Sequence, residues 1–316
     1  MAALSTKSAE VRERAVDGSR KAPGLPGDRP SARAYFALAV TILAWGSAFV
    51  AIRVALRGYS PTELSVLRMG MAAAVLAAVA LVNRIRIPHR RDLPHIFLVG
   101  LTGMTLYHLL LNSGEVDVPA GTASLLVATA PVFAALLARL LLNERLNRVG
   151  WGGIFLALSG SVAIALGGSG GFTLQRGALL VLGASFVQAT FFTIQKPLLS
   201  RYSPLEVTMY GSIIGALLLS PFGRGLPQAV GGADTAATLA VLWLAVGASV
   251  LGFVAWGYAL ARIKVSIAVS TLYTVPVVAL SVGWLLLDEV PTFTSLAGGL
   301  VALAGVALVT TKGKVH

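Results

Sequence analysis

The residues of this chain that could bind a small molecule are polar side chains embedded in long apolar stretches. Four of them follow one another at intervals of three, three and four residues, which places them on one face of a helix. They are Thr102, Thr105, His108 and Asn112. Hydroxyl, imidazole and amide groups form hydrogen bonds without carrying a fixed charge. This polar stripe is therefore suited to a neutral or zwitterionic ligand, although His108 could equally be a structural histidine.

Aromatic and amide side chains occur at a similar depth in other apolar stretches. Together with His108 and Asn112, the predicted substrate-binding residues are Trp45, Tyr107, Gln188, Ser249, Phe253, Trp256 and Tyr273. Aromatic rings that stack on a ligand contribute about 0.5–1.5 kcal/mol beyond burial. Packing is the alternative for each residue: a buried glutamine such as Gln188 can join helices, and Tyr107 and Trp256 could belong to an interfacial aromatic belt.

Several kinds of catalytic or metal site are not indicated. The chain has no cysteine, so it has neither a disulfide framework nor a thiolate metal site, and its four histidines show no ligand spacing. Neither a phosphate-binding GxxxxGK[ST] loop nor an HExxH motif occurs. We therefore expect no cofactor, no metal and no enzymatic activity.

The elements that must position these residues are membrane helices. The chain has 316 residues, of which 56% are hydrophobic and 12% are charged. Apolar residues form blocks of about 20, the length that spans a bilayer core. The predicted spans 1 to 10 cover roughly residues 34–56, 62–82, 93–113, 119–142, 149–167, 176–197, 204–222, 236–258, 264–287 and 291–311. The sequence thus predicts an all-α integral membrane protein with ten transmembrane helices.

The basic residues predict the orientation in the lipid bilayer. Of the 25 Lys and Arg residues, 19 fall on the side of the two termini and four on the other side. Basic loops face the cytoplasm, so both termini are expected there. Residues 1–33 hold no apolar run and are predicted to be a disordered cytoplasmic tail. Because the positive charge is spread over loops, we expect no nucleic-acid partner.

The sequence contains an internal repeat. The segments "TAPVFAALLARLLLNER" (129–145) and "TVPVVALSVGWLLLDEV" (274–290) are identical at 8 of 17 positions. "YSPTE" (59–63) recurs as "YSPLE" (202–206), and Arg53 corresponds to Lys196. The repeats cover 34–168 and 177–311, with five predicted spans each. Because five is odd, the second repeat is inverted in the membrane, an arrangement that suits alternating access.

Each repeat contains one proline in the middle of its fourth span. Pro131 lies in span 4 and Pro276 in span 9. A proline removes a backbone donor, and the carbonyls that it frees must face protein or a wet cavity. Paired interruptions of this kind point to a transporter's binding site, where freed backbone groups could bind an amino-acid head group. The alternative is that both prolines only shape the bundle.

Few ionisable residues are expected inside the spans. Arg68 lies about seven residues from the outer end of span 2, and we expect it to reach the interface or to pair with Glu63, with contact to the substrate as the alternative. Glu144 and Glu289 end spans 4 and 9 on opposite sides, where a solvated helix end is expected and gating is the alternative. No carboxylate lies in the middle of a span, which disfavours drug cations. No cation lies at the midplane of a lining span, which disfavours sugar phosphates.

Three segments resemble a known family. They are "ILAWGSAFVAIRVAL" (42–56), "SPTELSVLRMGMAA" (60–73) with Arg68, and the "P…LLLNE…GG…G" pattern from Pro131 to Gly160. Over residues 34–311 the chain resembles the drug/metabolite transporter superfamily in its EamA-type ten-helix branch. It is also similar to the YddG-type bacterial exporters of aromatic amino acids.

The resemblance implies a cavity lined by spans 1, 3, 4, 6, 8 and 9, with spans 5 and 10 at the periphery. It further implies export of a metabolite across the bacterial inner membrane. With the neutral, aromatic cavity expected from the residues, this favours an exporter of aromatic or other apolar, zwitterionic amino acids. His108 would form hydrogen bonds without coupling protons, so we expect a facilitator, and a monomer is compatible with the sequence. The alternatives are a proton-coupled exporter of another small neutral metabolite or drug, and a channel.

Overall fold

The computed structural model describes residues 32–83, 85, 87–141, 147–166, 175–263, 268 and 271–312. Within these ranges all regular secondary structure is helical. The predicted tail, 1–33, falls almost wholly outside the described residues, and Ala32 and Arg33 already belong to the first helix. Glu144 also lies outside them.

Nine helices in the described part of the chain are long and apolar enough to cross a membrane, and a shorter one completes the set. Spans 1 to 10 consist of Ala32–Ala55, Pro61–Asn83, Arg90–Gly114, Ala120–Val127 with Ala130–Leu141, Arg148–Leu166, Arg176–Leu198, Pro204–Leu219, Thr235–Leu260, Leu272–Leu287 and Phe293–Lys312. Two short helices, Ser220–Phe222 and Leu226–Gly232, connect spans 7 and 8. The predicted fold class, ten transmembrane helices in two inverted five-helix repeats, is confirmed. Because ten is even, both described ends lie on one side, here called the terminal side.

The second span of each half begins for the same local reason. The Glu63 N–H donates to Ser60 Oγ at 3.3 Å, and the Ser60 N–H donates to Glu63 Oε2 at 2.8 Å. Ser203 and Glu206 form the same reciprocal pair at 3.2 and 2.7 Å. Such a capping box satisfies N–H groups that a helix start leaves free. Glu63 is thus engaged at its own helix start, and the expectation that it pairs with Arg68 is wrong.

Spans 3 and 8, the third span of each half, are not regular α-helices. Each contains a π-helical segment, Gly100–Leu106 in span 3 and Trp243–Gly252 in span 8. A π turn is wider than an α turn and changes which residues share a face. Thr102 and Thr105 donate their hydroxyls to backbone carbonyls four and five residues earlier, at 2.6 and 3.1 Å. Two members of the predicted polar stripe therefore bond to their own helix.

Spans 5 and 10 pack backbone to backbone. A Cβ added to Gly160 would lie 2.4 Å from the carbonyl oxygen of Gly298, and one added to Gly305 would lie 2.5 Å from that of Gly153. Both distances are shorter than a van der Waals contact, so only glycine permits this approach. The glycines of span 10 thus have a packing role.

Candidate substrate site

A cavity of about 550 Å³ lies between the spans. Its walls come from spans 1, 3, 4, 6, 8 and 9, as the family resemblance implies, and from parts of spans 2 and 10. The sequence-predicted residues that line it are Trp45, Tyr107, Gln188, Phe253 and Tyr273, together with Pro131 and Pro276. The other four predicted residues, His108, Asn112, Ser249 and Trp256, are buried beside the cavity.

One side of the cavity is an aromatic wall formed by Trp45, Phe192 and Phe253. The Trp45 and Phe253 rings meet edge to face, with centroids 5.1 Å apart. Trp256 lies behind them and packs against Trp45 and Phe192 at 5.6 and 5.7 Å. The indole Nε1 of Trp45 donates to the Ala248 carbonyl at 3.2 Å. This hydrogen bond and the packing fix the orientation of the Trp45 ring that faces the cavity. An apolar group can therefore pack against the wall without moving it.

The buried predicted residues support neighbouring helices. Asn112 Nδ2 donates to Ser65 Oγ of span 2 at 2.9 Å. The His108 ring packs against Tyr107 at 5.0 Å, and its two nitrogens have no hydrogen-bond partner among the described residues. Tyr107 and Trp256 are 8% and 2% exposed. Neither is therefore part of an interfacial belt, and Tyr107 lines the cavity together with Gln188.

The helix of span 4 is interrupted directly before Pro131, between Val127 and Ala130. The carbonyls at this interruption bind hydroxyls: Thr129 Oγ1 donates to Leu126 at 2.6 Å, and Ser185 Oγ donates to Val127 at 3.2 Å. The two hydroxyls lie 3.1 Å apart. The expectation that these freed carbonyls await a ligand head group is therefore wrong.

Span 9 shows the same arrangement before Pro276. A short 3-10 segment, Leu272–Thr274, precedes the α-helix that begins at Val275. The Thr274 hydroxyl donates to the Thr271 carbonyl at 2.6 Å. Tyr273 lies in this segment, and its hydroxyl shares a 3.2 Å hydrogen bond with Thr310 of span 10. The interruption thus brings an aromatic residue of span 9 to the cavity.

Sequence reasoning included Arg68 in the site only as an alternative. Arg68 lines the cavity and is only 3% exposed, and its Nε donates to Ser249 Oγ of span 8 at 2.9 Å. The residue was expected at the interface because only its distance from the helix end was considered. An arginine in an apolar segment was the signal that could have identified it, since such residues face the bundle interior or a cavity.

The end of the bundle opposite the termini is closed by Arg53 and Glu289. Arg53 Nε donates to Glu289 Oε1 at 2.9 Å, and Glu289 Oε2 accepts the backbone N–H of Ala120 at 2.8 Å. Arg53 also donates to the carbonyls of Glu115 and Val116 at 2.6 and 3.0 Å. The cluster links the ends of spans 1, 3, 4 and 9. The expectation of a solvated helix end is thus wrong for Glu289.

Glu115 is a residue that sequence reasoning missed. It follows the last residue of span 3, it is fully buried, and its carboxyl oxygens have no hydrogen-bond partner among the described residues. Burial raises the pKa of the Glu115 carboxyl well above its ordinary value, and the charge of Arg53 opposes this shift. Its burial was not evident from the sequence because Glu115 stands in a short connector.

The cavity extends toward the terminal side. Thr193, Pro197 and Thr310 lie near the terminal-side ends of spans 6 and 10 and line it. On the opposite side, a separate cavity of about 680 Å³ is lined by Arg53 and Glu289. The ion pair lines this second cavity, and neither of its residues is among the described residues that line the first.

Comparisons with known proteins agree with this architecture. The sequence profile of the EamA-like transporter family matches residues 32–166 and 175–311. A solved structure described as "Crystal structure of protein" has a TM-score of 0.61 and 19% sequence identity, over 89% of this chain and 96% of that one. At this identity, the likeness supports the fold.

Named relatives cover most of the chain. A "Probable terminal-alkyne amino-acid exporter" of Streptantibioticus cattleyicolor is 44% identical, over 89% of this chain and 94% of the relative. An "Uncharacterized transporter YdfC" of Bacillus subtilis is 37% identical, over 85% of this chain and 88% of the relative. A "Probable amino-acid metabolite efflux pump" of Salmonella typhimurium is 29% identical, over 85% and 92%. By the two profile matches and by this identity, the chain belongs to the EamA-like transporter family.

Proposed function

We propose that this protein exports amino acids with an apolar side chain, or closely related metabolites, from the cytoplasm by alternating access. The observation that carries this proposal is the aromatic wall of Trp45, Phe192 and Phe253 beside the polar pair of Tyr107 and Gln188 in one cavity. An apolar side chain would pack on the wall, and the polar pair would face the head group. The names of two relatives, an amino-acid exporter and an amino-acid metabolite efflux pump, support this substrate class.

Alternating access is supported by the two cavities and by the ion pair at the end opposite the termini. The cavity with the aromatic wall reaches the terminal side, and Arg53 and Glu289 close the opposite end. Two inverted repeats can exchange such an arrangement for one that is open on the other side. A channel would need a continuous path, so the cluster disfavours that alternative.

The direction of transport follows from the proposed orientation. The asymmetry of the basic residues supports a cytoplasmic position for the terminal side in a bacterial inner membrane. The cavity would then be open to the cytosolic substrate pool. A reporter fused after His316 tests this point, because activity only in the periplasm would contradict the orientation.

We further propose that transport is facilitated and follows the substrate gradient. No carboxylate is among the described residues that line the cavity, and His108 lies beside it. The alternative is proton-coupled export, and the buried carboxyl of Glu115 is the observation that favours it. In that case Glu115 would gain and lose a proton as the opposite end closes and opens.

Purified protein in liposomes separates these functions. The substrates are labelled L-phenylalanine and a labelled terminal-alkyne amino acid, with L-glutamate as the control. Saturable flux that internal unlabelled substrate accelerates supports a carrier, whereas non-saturable flux indicates a channel. With equal substrate on both sides, an imposed pH gradient should produce no accumulation. Accumulation that a protonophore abolishes would establish the proton-coupled alternative.

A further inference from the structure

We infer that Arg68 binds the carboxylate of the transported molecule, so that a free carboxylate is required for transport and a free amino group is not. This inference rests on the proposed function and names the group that the site recognises. The sequence had suggested Gln188 as a substrate-binding residue and the freed backbone groups as partners of the head group. The positions of Arg68 and of the span 4 carbonyls favour a different arrangement.

The burial of Arg68 is the first argument. Arg68 is 3% exposed and lies in the apolar segment of span 2. A buried cation is costly unless an anion neutralises it. The two ion pairs in the described part of the chain belong to other arginines, Arg53 and Arg201. Arg68 therefore faces the cavity without a bonded carboxylate from the described residues.

Glu115 is the nearest candidate for an internal counter-charge, and it does not bond to Arg68. The two residues interact electrostatically. The carboxyl oxygens of Glu115, however, have no hydrogen-bond partner among the described residues. Tyr107, which also interacts with Arg68, offers a hydroxyl and not a charge. No described residue therefore supplies an anion that bonds to Arg68, and the carboxylate of the substrate can take that position.

The orientation of the guanidinium is the second argument. Its Nε is held by Ser249 at 2.9 Å. The terminal nitrogens of an arginine held in this way are the edge that binds a carboxylate through two parallel hydrogen bonds. Ser249 was predicted to bind substrate directly. We assign it instead to positioning Arg68.

The aromatic wall and Arg68 are anchored to neighbouring residues of span 8. Trp45 donates to the carbonyl of Ala248, and Arg68 donates to the hydroxyl of Ser249. Both side chains thus attach to consecutive residues of span 8. An amino acid carries its carboxylate and its side chain on one carbon, so it can reach both groups together.

The cavity offers no comparable partner for the amino group. Its described lining residues include no Asp or Glu, and their polar side chains are neutral apart from Arg68. An ammonium group would find hydroxyls and an amide, which also accept uncharged N–H groups. Blocking the amine should therefore matter less than removing the carboxylate.

The test is competition against counterflow of labelled L-phenylalanine in liposomes that hold the full chain. N-acetyl-L-phenylalanine keeps the carboxylate, and L-phenylalaninol keeps the amine but replaces the carboxylate by an alcohol. N-acetyl-L-phenylalanine should compete within a few-fold of phenylalanine, and phenylalaninol should be weaker by about 10- to 100-fold, the value of hydrogen bonds to a charged group. Equal competition by phenylalaninol overturns the inference and leaves the proposed function intact. If neither phenylalanine nor the terminal-alkyne amino acid shows saturable flux, the inference and the proposed function are both wrong.

Variants test the residue itself. In Arg68→Gln, the preference for phenylalanine over phenylalaninol should fall about tenfold or more, whereas Arg176→Gln, at an exposed arginine, should keep it. If Arg68→Gln does not fold, the same preference is measured in Ser249→Ala. This variant keeps the charge of Arg68 and removes only the hydrogen bond that orients its guanidinium. An unchanged preference in the folded variant that is measured overturns the inference.

Discussion

Arg53 Nε and Glu289 Oε1 form a 2.9 Å ion pair between residues that are 236 positions apart, one in each half of the chain. The second carboxylate oxygen of Glu289 accepts the N–H of Ala120, at the start of span 4. One side chain therefore ties the end of span 9 to the ends of spans 1 and 4. The pair is partly exposed, with side-chain exposures of 30% and 16%. Its contribution to stability is thus modest, as a reversible closure requires.

Removing one partner should open the closed end. We expect Glu289→Gln to increase access to the cavity from the side opposite the termini. The chain has no cysteine, so a single Ala48→Cys at the cavity wall can be labelled cleanly. In this background, Glu289→Gln should speed labelling by an impermeant maleimide from the opposite side.

The control for this experiment is Glu63→Gln, which removes a carboxylate at a helix start near the same side. It should leave the labelling rate unchanged. Exchanging the charges, with Arg53→Glu and Glu289→Arg together, should restore part of the closure. Equal labelling in Glu289→Gln and in the parent would contradict the closing role of the pair.

Trp45→Ala should raise the apparent KM for phenylalanine about tenfold, because a stacking face and buried ring area are lost. Trp45→Phe should retain most of the affinity. Trp284→Ala is the matched control, since Trp284 is 60% exposed and lies away from the cavity. Counterflow kinetics in liposomes measure all three variants. Wild-type kinetics in a folded Trp45→Ala would place the substrate elsewhere.

Thr129→Val should destabilise the protein by about 1 kcal/mol, because the Leu126 carbonyl then loses its 2.6 Å hydroxyl partner and keeps only the backbone N–H of residue 129 at 3.2 Å. Ser185→Ala should act similarly through Val127. Ser159→Ala serves as the control, since its hydroxyl is exposed and bonds only to its own helix. Thermal unfolding in detergent gives the comparison. Equal midpoints for Thr129→Val and Ser159→Ala would show that water satisfies the carbonyl.

Glu115 should make stability fall as the pH rises. The folded state raises the pKa of this carboxyl above its ordinary value of 4.5, so the folded protein disfavours the charged form. The contribution of Glu115 to the free energy of unfolding is then most favourable below pH 4.5, and it decreases as the pH rises toward the pKa of the folded state. Glu115→Gln, which cannot ionise, should flatten this decrease, and the control Glu206→Gln should not. Thermal midpoints between pH 4 and pH 9 measure the slope, and a slope equal to the wild type in Glu115→Gln would contradict the assignment.

The fold could be predicted from the sequence because its signals are local and repeated. Apolar blocks have the length of a bilayer, and the repeated YSPxE and proline segments mark matching helix starts and interruptions. The alignment also relates Arg53 to Lys196 and Glu289 to Glu144. The Glu144 residue and the Lys196 side chain lie outside the described part of the structure.

The site was less predictable because its members depend on tertiary contacts. The π-helical segments of spans 3 and 8 change which residues share a face, and α periodicity cannot show this. Arg68 and Glu115 differ from charged residues at exposed helix ends only in that neighbouring helices bury them. The hydrogen-bond partners of hydroxyls such as that of Thr129 could not be predicted from the sequence. These partners are backbone carbonyls at the interruption of the helix.

The glycine contacts between spans 5 and 10 have a mechanical consequence. The backbones at Gly160 and Gly298 are too close for either helix to slide past the other. These helices are the last of each half, so they join the halves along one edge, and in the proposed alternation this edge would be the hinge. The proposed alternation would then be a rotation about this edge. The Tyr273–Thr310 hydrogen bond lies where the hinge meets the cavity, and it is the contact that such a rotation would strain first.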